Sequence, residues 1–240
     1  MSALLELQWA NKSFGSVRVI QDLSFEAAQG EALGVVGPNG AGKTTMMSLV
    51  AGTLPLDSGT VLFDGRDVTR TPAHRRCHEG IARTHQVPQP FEGLTVFENV
   101  LVGARFGGGA DGDAPRVAAR HVARVGLWHK ANASAGTLTL LERKRLELAR
   151  ALATAPRLLL LDEIGGGLTE AELTELVEMI RGLRAGGLTI VWIEHIVHAL
   201  VSMVDRMIAI DFGRMLIEGP PADVMASREV QAVYMGVEDV

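Results

Sequence analysis

Cys77 is the only cysteine among 240 residues, so an internal disulfide is excluded and a reducing compartment fits. Positive charge is also scarce: 23 Lys and Arg stand against 28 Asp and Glu, a net charge of −5. Without a basic stripe, the electrostatic footprint of a nucleic-acid binder is missing, and nucleic acid is not expected as a direct partner. Long apolar runs are missing as well. Stretches such as His195 to Val204 fall far short of the ~18 apolar residues of a spanning helix. The start, Met1-Ser2-Ala3-Leu4-Leu5-Glu6, has neither the basic region nor the apolar stretch of a secretory signal. Work at a membrane would therefore need another chain to supply the membrane part, and the cytoplasm is the expected compartment. The length is enough to bury a core, and residues 1–240 are expected to form one domain.

What is present is a succession of short β runs and helical stretches. Leu4 to Trp9 and Leu23 to Ala28 read as strands, and Glu31 to Val36 is a β run feeding a glycine-rich loop. A helix from Lys43 stops at Gly52, and Thr60 to Phe63, closed by Asp64-Gly65, reads as one arm of a hairpin. Ile81 to His85 reads as a strand. Val87-Pro88-Gln89-Pro90 is extended loop, because each proline disfavours helix before it. Thr95 to Leu127 is helical in pattern but broken by Gly107-Gly108-Gly109 and Gly112; Leu141 to Ala155 is helical up to Pro156. These helices define an expected helical sub-lobe over about 87–150. Leu158 to Leu161 and Leu188 to Ile193 are β runs of the fully buried kind around a helix from Glu170 to Arg184, the pattern of a parallel sheet. A late hairpin around Gly213 and short helices after Ala222 close the chain. The class is α/β, with a mixed central sheet, an antiparallel β region and a helical sub-lobe.

Gly37-Pro38-Asn39-Gly40-Ala41-Gly42-Lys43-Thr44 fits G-x-x-x-x-G-K-[ST] and lies between a β run and a helix. Glycines there let consecutive backbone N–H groups close around phosphate oxygens at the positive end of a helix, and Thr45 continues that end. Lys43 is expected to reach the β and γ phosphates, and Thr44 to offer its hydroxyl to Mg²⁺. Leu158-Leu159-Leu160-Leu161-Asp162-Glu163 ends a buried strand in two acids, at the sheet edge where α/β ligands collect. Asp162 is expected to hold Mg²⁺ through water, and Glu163 to act as general base on the attacking water. The bland reading, two acids capping a turn, loses weight once the phosphate loop is present. Two groups of possible metal ligands, His195 with His198 and the set His74, Cys77, His78 and His85, lack further evident ligands and read better as helix surface.

The order of phosphate loop, Gln86, an LSGGQ-like segment, Leu-Leu-Leu-Leu-Asp-Glu and His195 resembles the ATPase subunits of ABC transporters over nearly the whole chain. Ile81-Ala82-Arg83-Thr84-His85-Gln86, Leu94-Thr95-Val96-Phe97-Glu98-Asn99-Val100 and Asp211-Phe212-Gly213-Arg214 are similar to the subgroup serving branched-chain amino acid importers. The resemblance implies ATP and Mg²⁺ as cofactors and ATP hydrolysis coupled to transport. It implies Phe14 stacked on adenine, Gln86 on Mg²⁺ or the attacking water, and His195 bonded to the γ-phosphate. It further implies a dimer of ATPase subunits on two transmembrane permease subunits at the cytoplasmic face of the inner membrane, with an extracytoplasmic binding protein as indirect partner. Val87, Pro88, Pro90, Phe91, Leu94 and Phe97 form an apolar cluster suited to a partner helix.

Two departures stand out. The family's Leu-Ser-Gly-Gly-Gln is Leu138-Thr139-Leu140-Leu141-Glu142 here. Leucine side chains hinder close backbone approach to a phosphate, and Glu142 adds negative charge beside it. After Glu163, Ile164-Gly165-Gly166-Gly167-Leu168-Thr169 stands where the family has Pro-Thr-Ser-Gly-Leu-Asp. Both point to pairing with a different ATPase, giving one competent and one weak site. Two other readings stay open: a soluble ABC ATPase not tied to transport, and a small-molecule kinase, which leaves Gln86 and His195 unexplained.

Overall fold

The computed structural model describes residues 3–109 and 113–235; Gly112, expected in a linker, lies outside them. The first strands are β1 (Ala3–Phe14), β2 (Val17–Ala28) and β3 (Ala32–Val36), followed by α1 (Lys43–Ala51), β4 (Ser58–Phe63), β5 (Arg66–Asp67), α2 (Ala73–Glu79) and β6 (Ile81–Arg83). Three helices come next, α3 (Val96–Phe106), α4 (Ala114–Arg124) and α5 (Leu140–Ala153). The second half continues with β7 (Leu158–Asp162), α6 (Glu170–Ala185), β8 (Thr189–Ile193), α7 (Val197–Val201), β9 (Arg206–Asp211), β10 (Arg214–Gly219), α8 (Pro221–Ala226) and α9 (Arg228–Met235).

Two sheets organise these elements. An antiparallel sheet has the order β2-β1-β4-β5, and a six-stranded sheet the order β10-β9-β3-β8-β7-β6. In the second, every pairing is parallel except β9 with β10. The first hairpin runs well beyond the apolar alternation that marks it in the sequence. The polar middle stays paired because Asn11 and Asp22 bond each other across the strands: Asn11 Nδ2 donates to Asp22 Oδ1 at 2.9 Å, and Asp22 N donates to Asn11 Oδ1 at 3.1 Å. Trp9 and Asp22 take left-handed backbone where the register shifts, and such a bulge hides strand continuity from a period-two reading. Strand β6 is conversely shorter than expected, because Thr84 N makes the last bond to β7, at Leu160 O, before the chain turns away.

The central strands are buried on both faces, which is why they read as continuous apolar runs. Along β7, Leu158 and Leu160 pack toward α1 and the antiparallel sheet, while Leu159 and Leu161 pack toward α5, α6 and α7. Val191 and Ile193 of β8 follow the first face, Ile190 and Trp192 the second. A third cluster, with Val96, Val100, Ala118, Val122, Leu146 and Ala149, is shared by α3, α4 and α5. This arrangement aligns the C-terminal ends of β3, β6, β7 and β8 along one edge.

Candidate functional site

Each expected site residue except Phe14 lies on that edge. The loop after β3 turns into α1 through Gly37, Gly40 and Gly42, all in backbone conformations that disfavour side chains. At Gly37 the reason is also spatial: a Cβ would stand 2.1 Å from Ile210 O of β9. The first turn of α1 carries no side-chain cap. Helices α3, α5 and α6 instead close their N-termini with capping boxes, Thr95 with Glu98, Thr139 with Glu142 and Thr169 with Glu172. The N–H groups at the start of α1 are thus left without a side-chain cap among the described residues, as a phosphate site requires. Lys43 is buried and donates to Gly37 O at 2.6 Å and Pro38 O at 2.9 Å. Burial draws its pKa down, while Glu163 and Asp162 hold it up.

Asp162, at the end of β7, is 1 % exposed. Its Oδ2 accepts from Arg83 Nη2 at 2.7 Å, and its Oδ1, although buried, has no hydrogen-bond partner among the described residues. An orphaned buried carboxylate oxygen is costly unless something positive or protic completes it. Thr44 and Gln86 line one cleft with Glu163, the residue next to Asp162, and the side-chain oxygens of Thr44, Gln86 and Asp162 would make an all-oxygen donor set, the hard-ligand chemistry that Mg²⁺ takes. The residues present fit that ion.

Glu163 occupies left-handed backbone at φ 48, unusual for a residue with a side chain, and strain of this kind gathers at functional sites. Its N–H donates to Ile193 O at 2.9 Å, fixing the turn to β8. The carboxylate is shared: Oε2 accepts from Gln86 Nε2 at 2.5 Å, and Oε1 lies 2.6 Å from His195 Nε2. Three side chains separated by 77 and 32 positions in sequence therefore meet on one carboxyl group. Val19, Gln86, Glu163 and residues 39–45 line a cleft of about 400 Å³. Phe14 does not line it; the ring sits at the end of β1, 51 % exposed, with Lys12 Nζ 5.8 Å from its centroid. Val19, which sequence reasoning did not name, lines the cleft. As one apolar side chain in an edge strand, it carries no signal of its own.

Two further residues escaped sequence reasoning. Arg83 joins Asp162 to α1, since its Nη1 donates to Ser48 Oγ at 2.9 Å. Glu194 is 1 % exposed and takes two backbone N–H groups, Gly165 at 2.9 Å and its neighbour His195 at 3.0 Å. A charge closing a buried strand is the signal both give in the sequence. Among the described residues no three His, Cys, Asp or Glu side chains converge as a metal site, and His198 is exposed, away from the Glu163 contact.

The signature segment corrects one expectation. Glu142 does not stand free: Oε2 accepts from Thr139 N at 3.0 Å, and Oε1 pairs with Lys130 Nζ at 2.6 Å. Thr139 in turn accepts from Glu142 N at 3.4 Å. Its negative charge is thus balanced within the chain, and the Thr139 hydroxyl is engaged in the helix cap. Of the apolar cluster after Gln86, Val87 and Phe91 are exposed, whereas Phe97 packs against the third core cluster.

Comparisons with known proteins identify the family. The family model for ABC transporters matches residues 20–165. The chain is 32% identical over 236 residues to the lipopolysaccharide export system ATP-binding protein LptB of Acidithiobacillus ferridurans, covering 98% of each. It is 30% identical over 249 residues to the high-affinity branched-chain amino acid transport ATP-binding protein BraF of Pseudomonas aeruginosa, covering 97% of this chain and 98% of BraF. Among solved structures, a nucleotide-free ATP-binding cassette from an ABC transporter superposes with a TM-score of 0.90 at 26% identity, over 99% of this chain and 100% of that one. The chain belongs to the ABC transporter ATP-binding family and is an ATPase of that class, using ATP with Mg²⁺.

Proposed function

We propose that the chain powers an importer of branched-chain or related amino acids. It works at the cytoplasmic face of the membrane, beneath two permease subunits, with an extracytoplasmic binding protein as indirect partner. The Glu163 carboxylate, poised between Gln86 and His195 at the rim of the phosphate loop, carries the hydrolytic part of this reading. Glu163 takes the proton of the attacking water, Gln86 orients that water, and His195 hydrogen-bonds the γ-phosphate. Backbone N–H groups among residues 39–45 and the Lys43 ammonium cradle the β and γ phosphates, and Phe14 covers adenine. Thr44, Gln86 and Asp162 would hold Mg²⁺, which supplies positive charge to the phosphate oxygens when bound. Residues 1–240 act as one domain, with about 87–150 as a sub-lobe whose exposed Val87 and Phe91 meet the permease. Similarity to BraF supports the substrate class.

The self-capped signature supports pairing with a second, different ATPase. The N-terminus of α5 spends Thr139 and Glu142 on each other and on Lys130, so it is a poor partner for the opposing γ-phosphate. This chain then supplies phosphate loop, Asp162, Glu163 and His195 to the competent site and its altered signature to the weak one. Similarity to LptB over the same span favours a second reading, in which the same motor drives export. Native mass of a Glu163→Gln chain, purified with Mg-ATP from solubilised source membranes, tests both. A complex with a second ATPase and two permeases of importer type is expected. Homodimers with exporter-type membrane proteins would move the assignment to the second reading, and soluble homodimers alone would end both.

A further inference from the structure

We propose that Glu147 is a positioning residue of the hydrolytic site, holding Gln86 within reach of Glu163 through the peptide N–H of His85. The inference rests on the roles proposed for Gln86 and Glu163. Glu147 lies on the inner face of α5 and is 8 % exposed. His85 N donates to its Oε1 at 2.6 Å, one residue before Gln86, whose Nε2 reaches Glu163. Arg83, Lys144 and Arg150 surround the carboxylate electrostatically, yet none pairs with it within 4.0 Å among the described residues. The short bond to His85 is therefore the contact its buried charge serves.

The rest of the loop is gripped further along. Arg150, one turn on from Glu147, donates to Gln89 O at 2.6 Å and lies 4.6 Å from the centroid of the Phe91 ring. Asn99 of α3, fully buried, accepts from Phe91 N at 2.9 Å and donates to Phe91 O at 3.1 Å. These grips hold residues 89–91 to the helices, and the Glu147 bond holds the peptide next to Gln86. A leucine or methionine would pack on this face without burying a charge. A carboxylate makes sense here if the hydrogen bond has a task. The consequence is that any tilt of α5 moves Gln86 relative to Glu163.

The test compares Glu147→Ala and Glu147→Gln in the full chain by steady-state hydrolysis of Mg-ATP and by amide hydrogen exchange of the peptide containing His85. Loss of a charge-assisted bond that acts in turnover predicts a fall in kcat on the order of tenfold for Glu147→Ala, with KM for ATP changed less than about twofold. Exchange at His85 should accelerate. Glu147→Gln keeps an acceptor oxygen and nearly the same shape, so it should recover part of kcat, and it remains informative if the alanine variant does not fold. Unchanged exchange, or a glutamine variant no better than alanine, would refute the latch itself. Faster exchange with unaltered kcat would instead refute the positioning role of Glu147 while leaving the role of Gln86 itself standing, which a parallel Gln86→Ala variant measures.

Discussion

Glu147→Gln should stabilise the fold at pH 8 although it slows turnover, and the size of the gain follows from the burial of the carboxyl group. Burial pushes Glu147 up from 4.5 to about 7, against the pull of the His85 N–H and of Arg150, Lys144 and Arg83. The folded chain therefore holds a proton that the unfolded chain releases between these values. This contribution to stability is full below about pH 4.5 and is lost as pH rises through about 7. The interval corresponds to ~3 kcal/mol between the acid and alkaline limits. Glutamine mimics the protonated group at every pH, so the variant should gain about 1 to 3 kcal/mol at pH 8, the lower figure allowing for a weaker bond to His85. The wild-type curve alone hides the effect. His121, pushed down to about 4 by burial and by Arg124 and Arg120, contributes stability above 6.5 that is lost as pH falls toward 4, the opposite slope in an overlapping window. Urea midpoints of both proteins from pH 5 to 8.5 give a difference curve in which His121 cancels. A gain that grows from near zero at pH 5 to its maximum at pH 8 is expected, with Tm rising roughly 2–4 °C per kcal/mol. No gain, or one independent of pH, would show that the carboxylate is not penalised as its burial implies.

Three other variants probe the site. Asp162→Asn leaves the Arg83 guanidinium, 10% exposed, without its counter-charge; a loss of ~3–5 kcal/mol is expected in urea denaturation, and ATP turnover should fall and need a higher Mg²⁺ concentration for half-saturation. Gly37→Ala drives a Cβ against Ile210 O, so the loop must shift, and titration with a fluorescent ATP analogue should show affinity reduced at least tenfold while thermal stability falls only modestly. Leu140→Gly with Leu141→Gly and Glu142→Gln reopens the N-terminus of α5. It should cost about 2 kcal/mol of helix stability while raising ATP-dependent dimerisation measured by light scattering, and no change in dimerisation would mean that the segment does not face a partner's nucleotide.

The phosphate loop and the Asp162-Glu163 pair were legible because each is a local pattern whose chemistry depends on spacing within a few residues. The buried strands were legible too, since packing on both faces leaves uninterrupted apolar runs such as Leu158 to Leu161. The meeting of Gln86, Glu163 and His195 was not a property of any segment. It follows from strand order, which places β6 beside β7 and β7 beside β8, and order in a parallel sheet leaves no local trace. Family resemblance supplied it instead. The length of β1 and β2 was hidden by a bulge and a polar cross-strand pair. Arg83 and Glu194 were visible only as unexplained charges at the ends of apolar strands.

The signature segment shows why reading charge from sequence alone misleads. Glu142 stands three residues after Thr139, the spacing of a capping box, and in that role its carboxylate points back along the helix rather than outward. Lys130, twelve positions earlier, then balances it at 2.6 Å with the acid side chain only 17% exposed. An acid held by two partners repels a phosphate far less than a free one, so electrostatic conflict is the smaller obstacle to cross-subunit contact. What remains is steric and competitive. Leu140, 42% exposed, presents a side chain where a glycine would present backbone, and the Thr139 hydroxyl is already committed. If that is the balance, Glu142→Gln alone should change dimerisation little, and removal of the leucine side chains should account for most of the effect of the triple variant.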